Sequence, residues 1–291
     1  TNGIGSTFNW DIMSNTLIVS FSGGRTSAYM AYKIHHSEEF KNVRKVYVFA
    51  NTGKEREETL EFVHRCDQAW NLGLFWIEAD VNPEKGVGVH FSLVDFESAN
   101  RTGKPFEDSI RKYGIPSQHN PHCSRDLKVT PIEKFAKHLF KGHQMAIGFR
   151  MDEVQRVNPK TAQKRNLIFP LIDIWPTWNI QVRKFWEAQP FDLQLKDYQG
   201  NCDLCWKKSQ RNRLTILNEN PAIGDQWQRW EEESDFIFDR DGIPVAQLKQ
   251  IATHQKFRRS IDKMELATFS PSLFDNLDSA AVCMCHNEVE L

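Results

Sequence analysis

Four short apolar runs alternate with segments of helical periodicity, and this alternation limits the folds open to the chain more than any other feature. The runs are 17–21 (LIVSF), 45–50 (KVYVFA), 74–81 (LFWIEADV) and 144–149 (QMAIGF). Between them, residues 26–36 place Ala28, Ala31 and Tyr32 at the spacing of one helix face. Residues 55–70 start with acidic side chains, which suit the positive end of a helix dipole. Thr130-Pro131-Ile132-Glu133 has the form of a capping box with proline in the first turn, and it predicts a helix to about residue 141. Strands alternating with helices of this length predict an α/β fold built on a doubly wound parallel sheet. Such sheets bind ligands beyond the carboxyl ends of their strands, so residues 22–27, 51–53 and 148–150 are expected along one edge.

Between 82 and 122 the pattern weakens at Gly86, Gly88, Gly103, Pro105, Gly114, Pro116 and Pro121, which predicts a long excursion over the active face, in the manner of a lid. From 170 onward Trp175, Trp178, Trp186, Trp206, Trp227 and Trp230 fall in short helical segments, read mainly as core, with base stacking as the alternative. The expected organisation is an N-terminal arm or added remnant at 1–16, an α/β domain at 17–169, and a mostly helical, cysteine-containing subdomain with a tail at 170–291. A length of 291 residues suits one large or two small domains.

Lys and Arg number 37 against 38 Asp and Glu, so no global basic field advertises nucleic acid. No apolar run approaches the roughly 20 residues of a membrane helix, and the chain opens without a leader pattern. The expected location is therefore cytoplasmic, with no membrane partner. In that reducing setting, cysteines in tight pairs point to metal or redox chemistry rather than disulfides. Cys202 and Cys205 form one such pair, Cys283 and Cys285 another. Cys66, flanked by apolar residues of a predicted helix, reads as a core thiol.

Ser22-Gly23-Gly24-Arg25-Thr26-Ser27 joins the first strand to the first helix. Two glycines allow close backbone approach to an anion, and amide groups at the helix start point toward it. The hydroxyls of Ser22, Thr26 and Ser27 add donors, and Arg25 adds a charge suited to phosphate. The alternative is a Gly-Gly turn with a polar helix cap.

This loop resembles the PP-loop, S-G-G-x-[DT]-S, of the adenine nucleotide α-hydrolase superfamily. Asn51-Thr52-Gly53 followed by Glu58-Thr59 resembles the D-T-G…E-T segment of its sulfonucleotide (PAPS/APS) reductase branch. The stretch from Cys123 through Arg125 and Lys128 to Pro131 is similar to C-x-x-R-K-x-x-P-L. Gly148, Arg150, Glu153 and Arg156 are similar to G-x-R-x-x-E-x-x-R. The four motifs stand in the family's order and span about 17–215. The resemblance implies that residues 22–27 and Gly148 cradle phosphate or sulfate, that Asn51, Thr52 and Gly53 contact adenosine, and that Arg125, Lys128 and Arg150 hold anionic groups. Glu153 would pair with Arg150 or Arg156 and orient it. Two departures stand out. Thr26 replaces the Asp that helps organise Mg²⁺ in ATP-using members, and Asn51 replaces the Asp that ends the second strand.

Bacterial-type APS reductases bind a 4Fe–4S cluster through a Cys-Cys pair and a later C-x-x-C. Here His122-Cys123 precedes Cys202-Asp203-Leu204-Cys205 at a similar separation, so Cys123, Cys202 and Cys205 are implied ligands. The fourth is open among Cys283, Cys285, His122 and a bound ligand, and zinc is the alternative metal. The tail, Cys283-Met284-Cys285-His286, lacks the Glu-Cys-Gly of the reductases, yet Cys285 or Cys283 is also a candidate nucleophile. The basic stretch Lys207, Lys208, Arg211 and Arg213 reads as a solvated helix face or a polyanion contact. His119 and His122 are candidate acids or outer donors.

The leading expectation is an adenine-nucleotide-dependent enzyme of sulfur chemistry, using PAPS or APS and a thiol reductant such as thioredoxin. The alternatives are ATP-dependent, AMP-forming thiolation of nucleic acid, with Mg²⁺, and a non-catalytic nucleotide or cluster sensor. A second copy of the chain is a further candidate partner.

Overall fold

The structure is a computed structural model that describes residues 16–254 apart from Asn201 and Asp235. Residues 1–15 lie outside the described residues, as do the tail candidates Cys283, Cys285 and His286. In chain order the elements are β1 (Thr16–Phe21), α1 (Arg25–His36), β2 (Arg44–Asn51), α2 (Glu57–Trp70), β3 (Phe75–Val81), β4 (Val89–Val94), α3 (Lys104–Tyr113), α4 (Thr130–Leu139), β5 (Gln144–Ala146), α5 (Pro159–Lys164), β6 (Leu167–Ile168), α6 (Pro170–Asp173), α7 (Asn179–Glu187), α8 (Gln210–Glu219), α9 (Ile223–Glu232) and α10 (Val245–His254). The strands form a six-stranded sheet in the order β4-β3-β2-β1-β5-β6. Neighbouring strands are parallel except β3 and β4.

β1 is buried along its whole length, as a central strand covered on both faces must be. Its alternation splits the core. Leu17, Val19 and Phe21 pack with Ala28 and Ile34 of α1 and Leu60 and Val63 of α2, whereas Ile18 packs with Ile132 and Phe135 of α4. The sheet is therefore doubly wound, as the sequence predicts. From β1 the chain runs to β2 and β3 on one side and later to β5 and β6 on the other. The turns after β1 and β5 lie where the direction of winding switches, the position at which sheets of this kind take their ligands.

Residues 170–195 pack on the sheet's own core through Leu171, Val182, Trp186, Leu193 and Leu195. A second core joins Trp227 and Trp230 of α9 and Leu248 of α10 to Phe106 and Ile110 of α3. No helix among the described residues is long and apolar enough to cross a membrane.

Two expectations are corrected. The excursion at 82–122 is not an irregular lid. It holds β4, an antiparallel edge strand in register from Trp76↔Val94 to Val81↔Val89, and then α3. β4 is half exposed, so it lacks the continuous apolar run of the inner strands. Gly103 and Gly114 flank α3 as caps and Pro105 sits in its first turn, so these residues delimit a helix rather than break one. The capping box at Thr130 does not form. A π-helical turn, Arg125–Val129, runs into α4, so no free amino terminus needs capping, and Glu133 pairs with Arg165 at 2.5 Å.

Trp230 is almost wholly buried, whereas Trp178 is exposed. Trp230→Ala is expected to lower the unfolding free energy by about 3–5 kcal/mol in urea titrations, against under about 0.5 kcal/mol for Trp178→Ala.

Candidate functional site

The glycine loop is shaped by contacts that only glycine permits. Gly23 adopts φ +83°, and a Cβ there would stand 2.7 Å from Thr59 Cγ2 in α2. Gly148, after β5, lets that strand's end approach α1, because a Cβ would lie 3.2 Å from the Ser27 Cα. Ser27 Oγ accepts from Ser22 N at 3.0 Å and Ser22 Oγ at 2.9 Å, and donates to the Gly24 carbonyl. Arg150 Nη1 crosses the switch point to donate to Thr26 Oγ1 at 2.7 Å. The structure thus brings residues 22–27, Gly148 and Arg150 together.

Each cation expected to hold an anion has a carboxylate partner. Arg25 donates from Nε and Nη2 to Asp192, both at 2.8 Å. Arg125 meets Asp126 at 2.8 and 3.0 Å. Lys128 reaches Glu55 at 3.1 Å. Arg150 binds Asp152 at 2.7 Å and Glu153 at 3.2 Å, and Glu153 also holds Arg156 at 2.5 Å, the pairing expected of it. Burial alone would raise the Asp152 pKa, but the Arg150 guanidinium outweighs it and holds the carboxyl below 3.8.

The loop after β2 is wholly buried from Asn51 to Glu55. Asn51 Oδ1 accepts from Gly53 N at 3.1 Å, while its Nδ2 donates to Glu78 at 2.6 Å and the Asn100 carbonyl at 2.8 Å. Its side chain therefore shapes the turn from within. Thr52 donates from N and Oγ1 to Glu55 Oε2 at 2.8 and 2.7 Å, and Thr52 Oγ1 stands 3.7 Å from Cys202 Sγ. The next residue, Lys54, reaches Asp203, inside the C-x-x-C, at 2.9 Å. Asp203 also accepts from Trp227 Nε1 at 2.8 Å, and its amide donates to the Lys54 carbonyl.

Cys123, Cys202 and Cys205 line one recess, together with Thr52, Lys128 and Trp206. Burial pushes the Cys123 and Cys202 thiols up, opposed by Lys207 at Cys123 and Lys128 at Cys202. Burial works against the Lys128 charge, but Glu55 and the neighbouring thiols raise its pKa overall. Trp206 Nε1 is buried without a hydrogen-bond partner and stands close enough to stabilise a Cys123 thiolate. Among the described residues, no group of three or more His, Cys, Asp or Glu is arranged to hold a metal ion. Cys123, Cys202 and Cys205 share this recess with Lys128 and Lys207, whose charges oppose the upward pull of burial on the thiols.

His122 does not line this recess. Its Nε2 meets the Gly114 carbonyl at 3.0 Å, and its Nδ1 faces Ser109 Oγ and Asp126, each at 3.3 Å. The basic stretch is not a solvated face throughout. Lys208 is buried, with Nζ donating to the Tyr198 and Gly200 carbonyls, and Arg213 is buried against Asp239. Sequence reasoning missed Glu78, Asn100, Asp192 and the role of Asp203, whereas Trp227 is the core residue expected. Glu55 carried a local signal, standing three residues after Thr52.

Gly23→Ala is expected to destabilise the protein by about 1–3 kcal/mol, since it combines left-handed strain with a clash against α2, as a thermal melt would register. The depressed Asp152 pKa adds stability that is present above 3.8 and lost as pH falls through its lower folded value. Acid denaturation of Asp152→Asn is expected to show a shallower loss than the wild type between 3.8 and that lower value.

No protein-family profile matches the chain. It is similar to an uncharacterized nin region protein, ORF290, of Escherichia phage lambda, at 35% identity over 198 residues covering 66% of each chain. It is also similar to an uncharacterized protein of Methanocaldococcus jannaschii, at 22% identity over 240 residues covering 79% of this chain and 44% of that one. The chain thus spans just under two thirds of the first relative and under half of the second. Among solved structures it is similar to the phosphoadenylyl-sulfate (PAPS) reductase of Candida auris in its phosphate complex. That similarity has 18% identity and a TM-score of 0.38, and covers 60% of this chain and 74% of that one.

Proposed function

We propose that the chain is an adenine-nucleotide-dependent enzyme of sulfur chemistry, similar to the sulfonucleotide reductases and acting on PAPS or APS. The observation that carries this reading is the loop after β2. It would form one rim of the nucleotide site, and through Thr52 it stands 3.7 Å from Cys202 of the thiol recess. A nucleotide bound at the carboxyl edge of the sheet would present its sulfur near those thiols. The ordered set of four motifs supports the same reading.

The glycine loop, with its backbone N–H groups and Ser22, Thr26 and Ser27, would bind the phosphate, and Arg150 would orient Thr26. Thr52, which lines the recess, would face the adenosine. Cys123, Cys202 and Cys205 would hold a 4Fe–4S cluster, with zinc as the alternative. A cluster there would supply a charge beside the reacting sulfur. A tail thiolate, Cys285 or Cys283, would attack the sulfonyl sulfur. Its S–S bond forms as the bond from sulfur to the phosphate oxygen breaks, and the adenosine phosphate leaves with that electron pair. A dithiol protein such as thioredoxin would then attack the enzyme sulfur and release sulfite. The sulfonyl sulfur gains two electrons and the dithiol is oxidised to a disulfide.

Against AMP-forming thiolation of nucleic acid stand Thr26, in place of a Mg²⁺-organising Asp, and the burial of Lys208 and Arg213. The test is an anaerobic assay of the full chain with APS or PAPS and reduced thioredoxin. It should yield sulfite equal to the adenosine phosphate released, and replacing Cys283 and Cys285 together by Ser should cut the rate at least about a hundredfold. Unchanged sulfite production in that variant contradicts the tail nucleophile. Pyrophosphate release from ATP and nucleic acid would favour thiolation, and tight nucleotide binding without turnover would favour a sensor.

A further inference from the structure

We infer that Asp192 is a specificity-determining residue that sets how much negative charge the glycine loop accepts. It would favour nucleotides of low phosphate charge over polyphosphates. The inference rests on reading that loop as a phosphate site.

Of the carboxylates that pair with the candidate anion-binding cations, Asp126, Asp152 and Glu153 sit within three residues of their partners. Glu55 is tied to Thr52 within its own loop. Asp192 differs. It comes from the segment after α7, far along the chain, and seats on the charged side chain of the glycine loop itself. Both its oxygens face Arg25, through Nε and Nη2, while the Leu193 carbonyl takes a further contact from Nη2 at 2.6 Å. The edge of the guanidinium suited to bidentate phosphate binding is thus filled by a carboxylate. The remaining nitrogen, Nη1, lies 3.9 Å from Asp197, itself held by Arg183 at 2.8 Å.

The segment is fixed in place. Leu193 and Leu195 are buried in the main core, and Trp186 Nε1 donates to the Arg25 carbonyl at 3.0 Å. Asp192 therefore cannot swing far when a ligand arrives. A phosphate in the loop meets an arginine whose charge is already balanced and a carboxylate that stays near. Each added phosphate charge meets that repulsion, in a partly buried site where screening is incomplete. Asp192 acts through Arg25 and the local field, so it is a positioning residue rather than a catalytic one.

The test is calorimetric titration of the full-length protein with AMP, ADP and ATP, without divalent cation. Wild type and Asp192→Asn are compared with Asp192→Glu, which keeps the charge, and Asp192→Ser, which provides a second neutral variant. Both neutral variants should bind ATP about tenfold more tightly than wild type and AMP nearly unchanged, while Asp192→Glu should keep the wild-type order of affinities. Equal gains for all three nucleotides, no gain, or weaker binding in the neutral variants would overturn the inference. Weaker binding would mean that Asp192 serves to aim Arg25. Binding of none of the nucleotides by any variant would instead remove the phosphate-site reading, and the inference with it.

Discussion

The ammonium of Lys54 lies over the rings of Trp227 and Trp230, 5.7 Å from each centroid, and reaches Asp203 at 2.9 Å. One residue on, Glu55 reaches back to Thr52 and across to Lys128. These buried charges tie the end of β2, the start of α4 and the C-x-x-C turn into one body. A buried charge stripped of its partner is destabilising by about 3–5 kcal/mol, so the arrangement tolerates little independent movement. The relation between the proposed nucleotide rim and the thiols depends on this knot. The same knot fixes the second core, built on Trp227 and Trp230, to the end of β2 through Asp203 and Lys54.

The same economy of charge runs through the rest of the site. A chain with a net charge of −1 offers no general attraction to anions, so binding must come from local geometry. The structure supplies that geometry with its cations already matched. Arg125, Lys128 and Arg150 are oriented by carboxylates, which makes their positions definite and their free charge small. On the proposed reading, backbone amides and hydroxyls at the glycine loop carry the rest. Such a site discriminates by shape and by the number of charges a ligand brings, more than by raw electrostatic pull.

What the sequence reveals depends on how local the physics is. β1, β2, β3 and β5 are apolar runs because both sheet faces are covered, and their positions follow from composition over a few residues. β4 escapes notice because an edge strand exposes half its side chains. α3 escapes because the residues that bound it read as breakers. The glycine loop is legible because Gly23 and Gly148 answer steric demands at fixed offsets from a strand. The pairing of Glu153 with Arg150 and Arg156 is legible because it spans one helical turn. Asp192, Asp203 and Glu78 are not, because nothing near them in sequence announces their partners. The inward turn of Lys208 and Arg213 is hidden for the same reason, since only a tertiary acceptor makes such burial tolerable.

The central claim is that the glycine-loop crevice and the thiol recess form one site joined by the loop from Asn51 to Glu55. The most direct measurement is the alkylation rate of each cysteine, followed by mass spectrometry, with and without saturating AMP. The account predicts that AMP changes the rates at Cys202 and Cys205 several-fold and leaves the core thiol Cys66 unaffected. Measurable AMP binding with no change at Cys202 and Cys205 would contradict it.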